Sequence, residues 1–511
     1  MTATRVATAA DGRLELRAAD LCAALSDPVI ESATFLNEIA SRHPAAISLA
    51  AGRPYDGFFD PGEITGLVDE YVRHLRAEGL DDAAVTRHLF QYGRTAGHIH
   101  ELVARTVAND TGLVVDPESV VVVTGAQEGM FITARALCAG PDDVLLVPTP
   151  CYIGMLGAAS LLDVTVVGVP EGPGGLRPAD VAATAARVRA AGRTPRALYV
   201  VPNFANPSGH TMSTPDREAL LAVAREQRLL LVEDDPYGFL AAPQDRLPAL
   251  KALDTTGHVV HIGTFAKTCF PGARVGYVIA DQTVRTSDGR QTLLADQLGL
   301  IRSMITVNTS AIAQAVIGGM LVRSGCRLDA LNEDRTRFYR DNMRHLLHRL
   351  AAEFPPDRRA EHGVSWHSPA GGFFVVLDLP FPADEELLAR SAADYQVLWT
   401  PMSYFYAGGG GTHQLRLACS ALPPDQITEG VRRLARLVRN RNAAAGPGHT
   451  AASAADLDHT AASAADLDHT AASAADLDHT AASATGLDHT AAPAAANQTA
   501  ATQAADAGGA P

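Results

Sequence analysis

A lysine, Lys267, follows the apolar run "VVHIGTFA" at residues 259–266. An amine at the end of a buried strand is a base and a nucleophile once it loses its proton, although a lone lysine more often snorkels to solvent. The run "LLLVE" at 229–233 ends similarly on Asp234 and Asp235, with Tyr237 close behind. Carboxylates closing a buried strand are costly unless paired, which points to chemistry rather than packing. After "ALYVVP" come Asn203-Phe204-Ala205-Asn206-Pro207-Ser208-Gly209, a bend that Pro and Gly alone would explain. After "SVVVV" comes Thr124-Gly125-Ala126-Gln127-Glu128-Gly129, a glycine-bounded turn opening a helix, whose free N–H groups suit a phosphate. Taken singly each signal is weak. Together, and in this order, they supply an amine, an acid, small polar groups and an anion cradle.

The elements that must position these residues are strands alternating with helices. Between residues 120 and 280 the runs "SVVVVTG", "DVLLVP", "VTVVGV", "ALYVVP", "LLLVEDD", "VVHIGTF" and "RVGYVIA" are separated by helical patterns such as "GMFITARALCA" and "DREALLAVAREQR". Near-continuous apolar strands joined by helices predict a largely parallel sheet covered on both faces, with ligands at the carboxyl ends of its strands. After Gly289 the pattern turns helical, with one long helical stretch from about Leu321 to Ala352. "GGFFVVLDL" and "HQLRLACS" then read as strands, and "PDQITEGVRRLARLVRN" as a closing helix. The predicted class is α/β: a large domain over 56–310 and a smaller α+β domain over 311–442, on which residues 1–55 pack.

Composition bounds the function. The chain has 511 residues, 47% hydrophobic and 19% charged, with 42 Lys plus Arg against 57 Asp plus Glu and a net charge of −15. That excess of acid argues against nucleic acid as a partner. No apolar run reaches the roughly 18 residues of a membrane span, and the start of the chain has no signal-peptide pattern. Six scattered cysteines without Cys-x-x-Cys spacing suggest reduced thiols in a cytoplasmic protein, with no metal site. From Ala443 onward there is no Lys, Arg, Phe, Tyr, Trp, Ile or Val, and the unit "AASAADLDHT" recurs at 451, 461 and 471, varied at 481. One Leu per unit offers too little apolar surface to order a chain, so 443–511 is predicted to be disordered. Its eight aspartates carry more than half of the net charge. Its repeated His-Thr pairs would have to organise themselves around any metal, so a solvated tail is expected.

The set at the strand ends is what pyridoxal phosphate requires: a lysine for a Schiff base, an aspartate to keep the pyridine nitrogen protonated, and polar groups for the phenolate oxygen and phosphate. At this point the sequence resembles the class I/II, fold type I, pyridoxal-phosphate-dependent aminotransferases, and within them the kynurenine/2-aminoadipate transaminase branch. "VPNFANPSGHTMS", "LLLVEDDPYGFL" and "GTFAKTCFPGARVGY" match that branch's N-P-x-G, E-D-D-P-Y and S-F-S-K…R-x-G segments in order and spacing, and the resemblance covers about 28–442.

The resemblance implies roles by position. Lys267 holds the cofactor covalently and then acts as acid and base, Asp234 pairs with the ring nitrogen, and Tyr237 and Asn206 bond the phenolate oxygen. Tyr152, in "PTPCYIG", stacks on the ring. Ala126, Gln127, Thr264 and Arg274 bind the phosphate, joined by Tyr92 of "LFQYGRTAG" from a second copy, so a homodimer is implied. Arg416 in "HQLRLACS" clasps the substrate carboxylate, which Asn206 also touches; the other reading of Arg416 is a surface strand arginine. Ala266 and Ala126 depart from the family pattern, each dropping a hydroxyl contact to phosphate. The implied activity is ping-pong transfer of an amino group between an amino acid and a 2-oxo acid.

For the substrate, Gly52 and Arg53 in "AAGRPYDGFF" and Phe405 and Tyr406 in "PMSYFYAGGGG" are candidate pocket positions, and Gly408–Gly411 reads as a lid or a plain turn. "FLNEIASRHPAAISLAAGRPYDGFFD" and "FQYGRTAGHIHELV" are similar to the dihydroxyphenylglycine transaminases, which make arylglycines for peptide antibiotics. Aromatic neighbours suit an aryl oxo acid; Arg53 suits an acidic, 2-aminoadipate-type side chain. A pyridoxal-phosphate oxidase or hydroxylase would keep the same motifs. A regulator with an aminotransferase-like domain would need a winged helix and basic surface, for which about 50 residues are too few. An inert scaffold should have lost Lys267, Asp234 or Arg416, and all three are present.

Overall fold

Valine-rich runs without polar alternation can only be strands buried on both faces, and the computed structural model, which describes residues 7–8 and 14–445, places them so. The principal sheet has eight strands among the described residues: β1 (Val120–Val123), β2 (Asp143–Thr149), β3 (Thr165–Gly172), β4 (Gly175–Leu176), β5 (Thr194–Val200), β6 (Leu230–Asp234), β7 (Val259–Thr264) and β8 (Gly276–Ile279). They lie in the order β1-β8-β7-β6-β5-β2-β3-β4. From β7 through β3 every pairing is parallel, while β8 runs antiparallel to both of its neighbours and β4 antiparallel to β3. This is the mostly parallel α/β sheet that the apolar runs predict.

A second, antiparallel sheet takes β9 (Ser365–Trp366), β10 (Phe374–Asp378), β11 (Thr400–Pro401) and β12 (Gln414–Ala418) in the order β9-β10-β12-β11. The helices that matter for the site are α1 (Pro28–Arg42), α2 (Ala126–Leu137), α3 (Leu294–Ser303), α4 (Ala311–Arg323), α5 (Glu333–Glu353) and α6 (Pro424–Ala445). Leu346 and Leu350 of α5 and Val431 and Leu434 of α6 pack with Val375, Leu377, Leu415 and Leu417 of the second sheet, all fully buried. Each such side chain contributes about 1.5–3 kcal/mol.

The long helical stretch expected from 321 to 352 is interrupted. Gly325 and Cys326 both have positive φ (62° and 56°), Cys326 N–H donates to Leu321 O at 2.7 Å and Gly325 N–H to Val322 O at 3.0 Å. That pair of bonds closes α4 in a Schellman motif before α5 begins, and the one glycine in the stretch was its only local signal.

The segment before the first glycine-rich turn touches both sheets' surroundings. Asp27 caps α1 by accepting from Val29 N–H and also accepts from Ser160 Oγ at 2.5 Å. Ile47–Ser48 pairs in parallel with Val397–Leu398, and Ala418 N–H donates to Leu49 O at 2.6 Å. These bonds bring residues 50–53 to the cavity described next. Of the 443–511 stretch expected to be disordered, residues 443–445 continue α6, and the decapeptide repeats lie outside the described residues. Among the described residues no helix is long and apolar enough to cross a membrane, and five of the six unpaired cysteines are buried.

Candidate active site

At the carboxyl ends of β5, β6 and β7 lies a cavity of about 260 Å³. Its floor is Asp234, the last residue of β6, in register with Ile262 of β7. Asp234 Oδ2 accepts the Tyr199 hydroxyl at 2.7 Å, while Oδ1 is buried with no partner. Burial pushes this carboxyl up to about 6, against the pull of the Tyr199 hydrogen bond. Lys267 stands in the turn after β7, anchored by buried Phe265, and its Nζ donates to the Gly52 carbonyl at 2.9 Å. Burial, and then the positive charges of Arg274 and Arg416, bring its pKa down to about 8. An amine so tuned is partly unprotonated near neutrality, the form that attacks a carbonyl.

One end of the cavity is the turn into α2. Gly125 has φ of 78°, and a Cβ there would come within 2.5 Å of Arg274 Nη2, so only glycine lets the guanidinium lie against the turn. Ala126 and Gln127 offer first-turn amides that no helical carbonyl can take. The Gln127 side chain is engaged elsewhere, its Nε2 donating to Gly154 O at 2.7 Å, so its contribution to an anion is its backbone. Thr264 Oγ1 accepts from Ala266 N–H at 3.1 Å, which leaves the hydroxyl proton to donate. Ala126 and Ala266 supply no hydroxyl, and the Arg274 guanidinium beside Gly125 provides charge where they do not.

The other end is built from the second sheet. Arg416 on β12 is 7% exposed, which removes the surface-arginine reading. Its Nη1 donates to Asn206 Oδ1 at 2.5 Å, and Nη2 to Ala50 O at 3.0 Å and Thr400 Oγ1 at 3.3 Å. Phe374 and Phe405 flank the guanidinium with ring centroids at 4.3 and 4.8 Å, and Nε is left without a partner. Burial lowers its pKa to about 10, so it stays cationic at neutral pH. Tyr152 and Tyr237 line the space between, both phenols raised by burial. Tyr237 packs edge-on against Phe373 and Phe374 at 5.3 and 5.9 Å. At Gly52 a Cβ would meet Phe374 Cζ at 2.4 Å, so any larger residue would displace that ring from Arg416.

Of the residues singled out from sequence, Lys267, Asp234, Tyr237, Asn206, Tyr152, Ala126, Gln127, Thr264, Arg274, Arg416 and Gly52 meet in one cavity, whereas Tyr92 is 85% exposed on this chain's own surface. Arg53 pairs with Asp56 outside the lining, and Phe405 and Tyr406 also lie outside it, Phe405 behind Arg416 and Tyr406 donating to Gln414 Oε1 at 2.9 Å. Sequence reasoning missed Tyr199, Thr400 and Phe374. A tyrosine inside an apolar strand leaves no mark in the pattern; only the strand pairing puts it beside Asp234.

The donor set fits pyridoxal phosphate. Asp234, which lines the cavity, keeps one orphaned carboxylate oxygen, an amide-and-guanidinium cradle sits at one end, and an amine of lowered basicity lines the same space. Comparison with known proteins agrees. The family "Aminotransferase class I and II" matches residues 61–434. The chain is 48% identical over 420 residues to (S)-3,5-dihydroxyphenylglycine transaminase of Amycolatopsis orientalis, covering 82% of this chain and 93% of that protein. The kynurenine aminotransferase of Pyrococcus horikoshii, solved with PMP, superposes with a TM-score of 0.68 at 26% identity, covering 80% of this chain and 94% of that one. The α-aminoadipate aminotransferase of Thermus thermophilus, solved with N-(5'-phosphopyridoxyl)-L-leucine, gives 0.64 at 28% identity, covering 81% and 98%. The chain belongs to the class I and II aminotransferases, and it moves an amino group between an amino acid and a 2-oxo acid with pyridoxal phosphate as its cofactor.

Proposed function

We propose that this aminotransferase acts on an arylglycine-type amino acid, as a step in specialised-metabolite, antibiotic-type biosynthesis in the cytoplasm. The observation that carries the chemistry is a single cavity holding the Lys267 amine, the unpaired Asp234 Oδ1 and the Arg416 guanidinium. Support for the substrate class is the 48% identity to a transaminase of (S)-3,5-dihydroxyphenylglycine, together with the position of Arg53, paired with Asp56 at the surface and outside the lining that an acidic side chain would have to meet.

Pyridoxal phosphate, when bound, supplies an electron sink for the pair left behind at the substrate's α-carbon. Lys267 would hold it covalently and, once released, would move the proton at the α-carbon. Asp234 would pair with the ring nitrogen while keeping its Tyr199 bond. Tyr237 and Asn206 would hold the phenolate oxygen, and Tyr152 would shield the ring from water. The amides of Ala126 and Gln127, with Thr264 and Arg274, would hold the phosphate. Arg416 binds the substrate carboxylate beside Asn206 and fixes which face of the α-carbon meets Lys267.

The working unit in this reading is a homodimer. Phe90, Tyr92, Leu300 and Met304 are 73%, 85%, 64% and 84% exposed, an apolar cost that a second copy would remove while Tyr92 reaches the neighbour's phosphate. The division into a large domain over 56–310 and a small one over 311–442 belongs to the same reading, Arg416 reaching the cavity from the small domain's sheet.

Half-reactions test it. The purified protein, mixed with (S)-3,5-dihydroxyphenylglycine, kynurenine and 2-aminoadipate in turn, should lose its visible cofactor absorbance fastest with the arylglycine. A preference for 2-aminoadipate defeats the substrate assignment. Borohydride reduction should trap the cofactor on Lys267, and label found on any other lysine defeats the site assignment.

A further inference from the structure

Away from the cavity, a chain of polar contacts runs from the phosphate turn to the surface segment that bears Tyr92. Glu128, in the first turn of α2, accepts Thr124 N–H through Oε2 at 2.5 Å, and Thr306 Oγ1 donates to its Oε1 at 2.5 Å. Arg302, at the end of α3, is completely buried, with its Nε 3.5 Å from Glu128 Oε2. Its Nη1 donates to the Thr95 carbonyl and its Nη2 to Thr309 Oγ1 at 2.6 Å, which in turn donates to Val122 O of β1 at 3.0 Å. Thr95 lies three residues beyond Tyr92 in the chain. Neither Glu128 nor Arg302 lines the cavity, so neither touches cofactor or substrate.

A buried arginine and glutamate are expensive unless they fix the relative position of what they join. Here they join a helix N-terminus to a loop whose aromatic tip faces outward. One bond of the network is incomplete: Arg302 Nε is buried without a hydrogen-bond partner. A movement of Glu128 by about 0.6 Å would bring it to ordinary hydrogen-bond length. The Glu128–Arg302 contact is therefore the point at which a small shift of the turn would tighten the network. An anion drawn onto the first-turn amides pulls on the same turn to which Glu128 is bonded.

We propose that Glu128 and Arg302 are positioning residues that couple the two cofactor sites of a dimer. Phosphate bound at the turn of one copy draws Glu128 onto Arg302, Arg302 steadies segment 92–95, and Tyr92 is thereby presented to the phosphate of the other copy. The coupling rests on the dimer reading above, in which Tyr92 serves the neighbouring site.

The test is a binding isotherm on full-length protein stripped of cofactor, with sedimentation first fixing its oligomeric state. Titration with pyridoxal phosphate, followed by absorbance, should show the second site filling about fivefold or more tighter than the first, with a Hill coefficient above one. Glu128→Gln should bring the two sites to equal affinity. So should Thr306→Val, a near-isosteric change at an exposed residue that reads out even if Glu128→Gln fails to fold. A dimer whose wild-type sites fill independently overturns the proposal. Cooperativity that survives both substitutions, even at weakened affinity, overturns it too, because the network would then be structural only. A monomer in sedimentation overturns the dimer reading itself, and the coupling with it.

Discussion

Two consecutive carboxylates on β6 meet opposite fates. Glu233 is completely buried, yet each oxygen is served: Oε1 accepts Leu250 N–H at 2.7 Å, and Oε2 accepts Lys251 N–H at 3.0 Å and His261 Nδ1 at 2.9 Å. Burial alone would raise its pKa, but the His261 bond and charge and the two amides outweigh it and hold the group below its usual range. Asp234, on the opposite side of the same strand, keeps one hydrogen bond and one bare oxygen, and burial wins, taking it to about 6. A saturated carboxylate holds the fold together. A deficient one is left with a bond still to make, and in the proposed reading the partner for that bond arrives with the cofactor.

Removing the deficient group should cost activity and little else. Asp234→Ala is expected to lower turnover about thousandfold or more, since the charge that stabilises the protonated ring is gone. The cofactor-free protein should lose little stability, because relief from burying a half-satisfied acid offsets the Tyr199 hydroxyl left without its acceptor. A turnover loss of tenfold or less would break the contrast between the two positions. Glu233→Gln should do the reverse. It leaves His261 charged or undonated in a buried site and should lower stability by about 3–5 kcal/mol, read by denaturant melts. Turnover of the folded fraction should stay within severalfold of wild type.

The pair also predicts opposite pH slopes in the cofactor-free protein. Asp234 binds its proton more tightly folded than unfolded, so its contribution to stability is complete below its ordinary 3.8 and disappears as pH rises through about 6. The size is on the order of 3 kcal/mol. Glu233 binds its proton less tightly folded, so its contribution is complete above the ordinary carboxylate range and disappears as pH falls through its depressed value. Asp234→Asn should therefore flatten the stability profile between about 3.8 and about 6 and leave the acid limb in place. A profile unchanged by Asp234→Asn would show that the carboxyl is ionised at little cost, against its bare oxygen.

What was legible in the sequence follows the same divide. Strand-end groups such as Lys267, Asp234 and Asn206 stood out because polar residues terminate otherwise apolar runs, so the chemistry interrupts the pattern. The alternation of strands and helices gave the parallel sheet for the same reason, since burial on both faces writes itself as unbroken apolar runs. Tyr199 and Arg302 were hidden because each sits inside an apolar stretch and acts through a partner far away in the chain, 35 residues off for Asp234 and 207 for Thr95. The break between α4 and α5 depended on backbone bonds around Gly325, which hydrophobic periodicity does not encode. Tyr92 entered the reading only through the resemblance, and it does not line this chain's own cavity.

The smallest expected effect concerns Lys267, whose deficit differs in kind from that of Asp234. It is lowered to about 8 by burial first and by the cations Arg274 and Arg416 second. Only the neutral amine adds to an aldehyde, so covalent loading of pyridoxal phosphate onto cofactor-free protein should speed up as pH rises and level off above about 8, followed by absorbance. Arg416→Gln removes one of the two cations while burial remains. The midpoint should move upward yet stay below the ordinary 10.5 of a lysine. A midpoint that does not move assigns the shift to burial and Arg274 and makes Arg416 a substrate ligand alone. A midpoint that falls reverses the sign of the interaction and contradicts the placement of a cationic Arg416 within electrostatic reach of the amine.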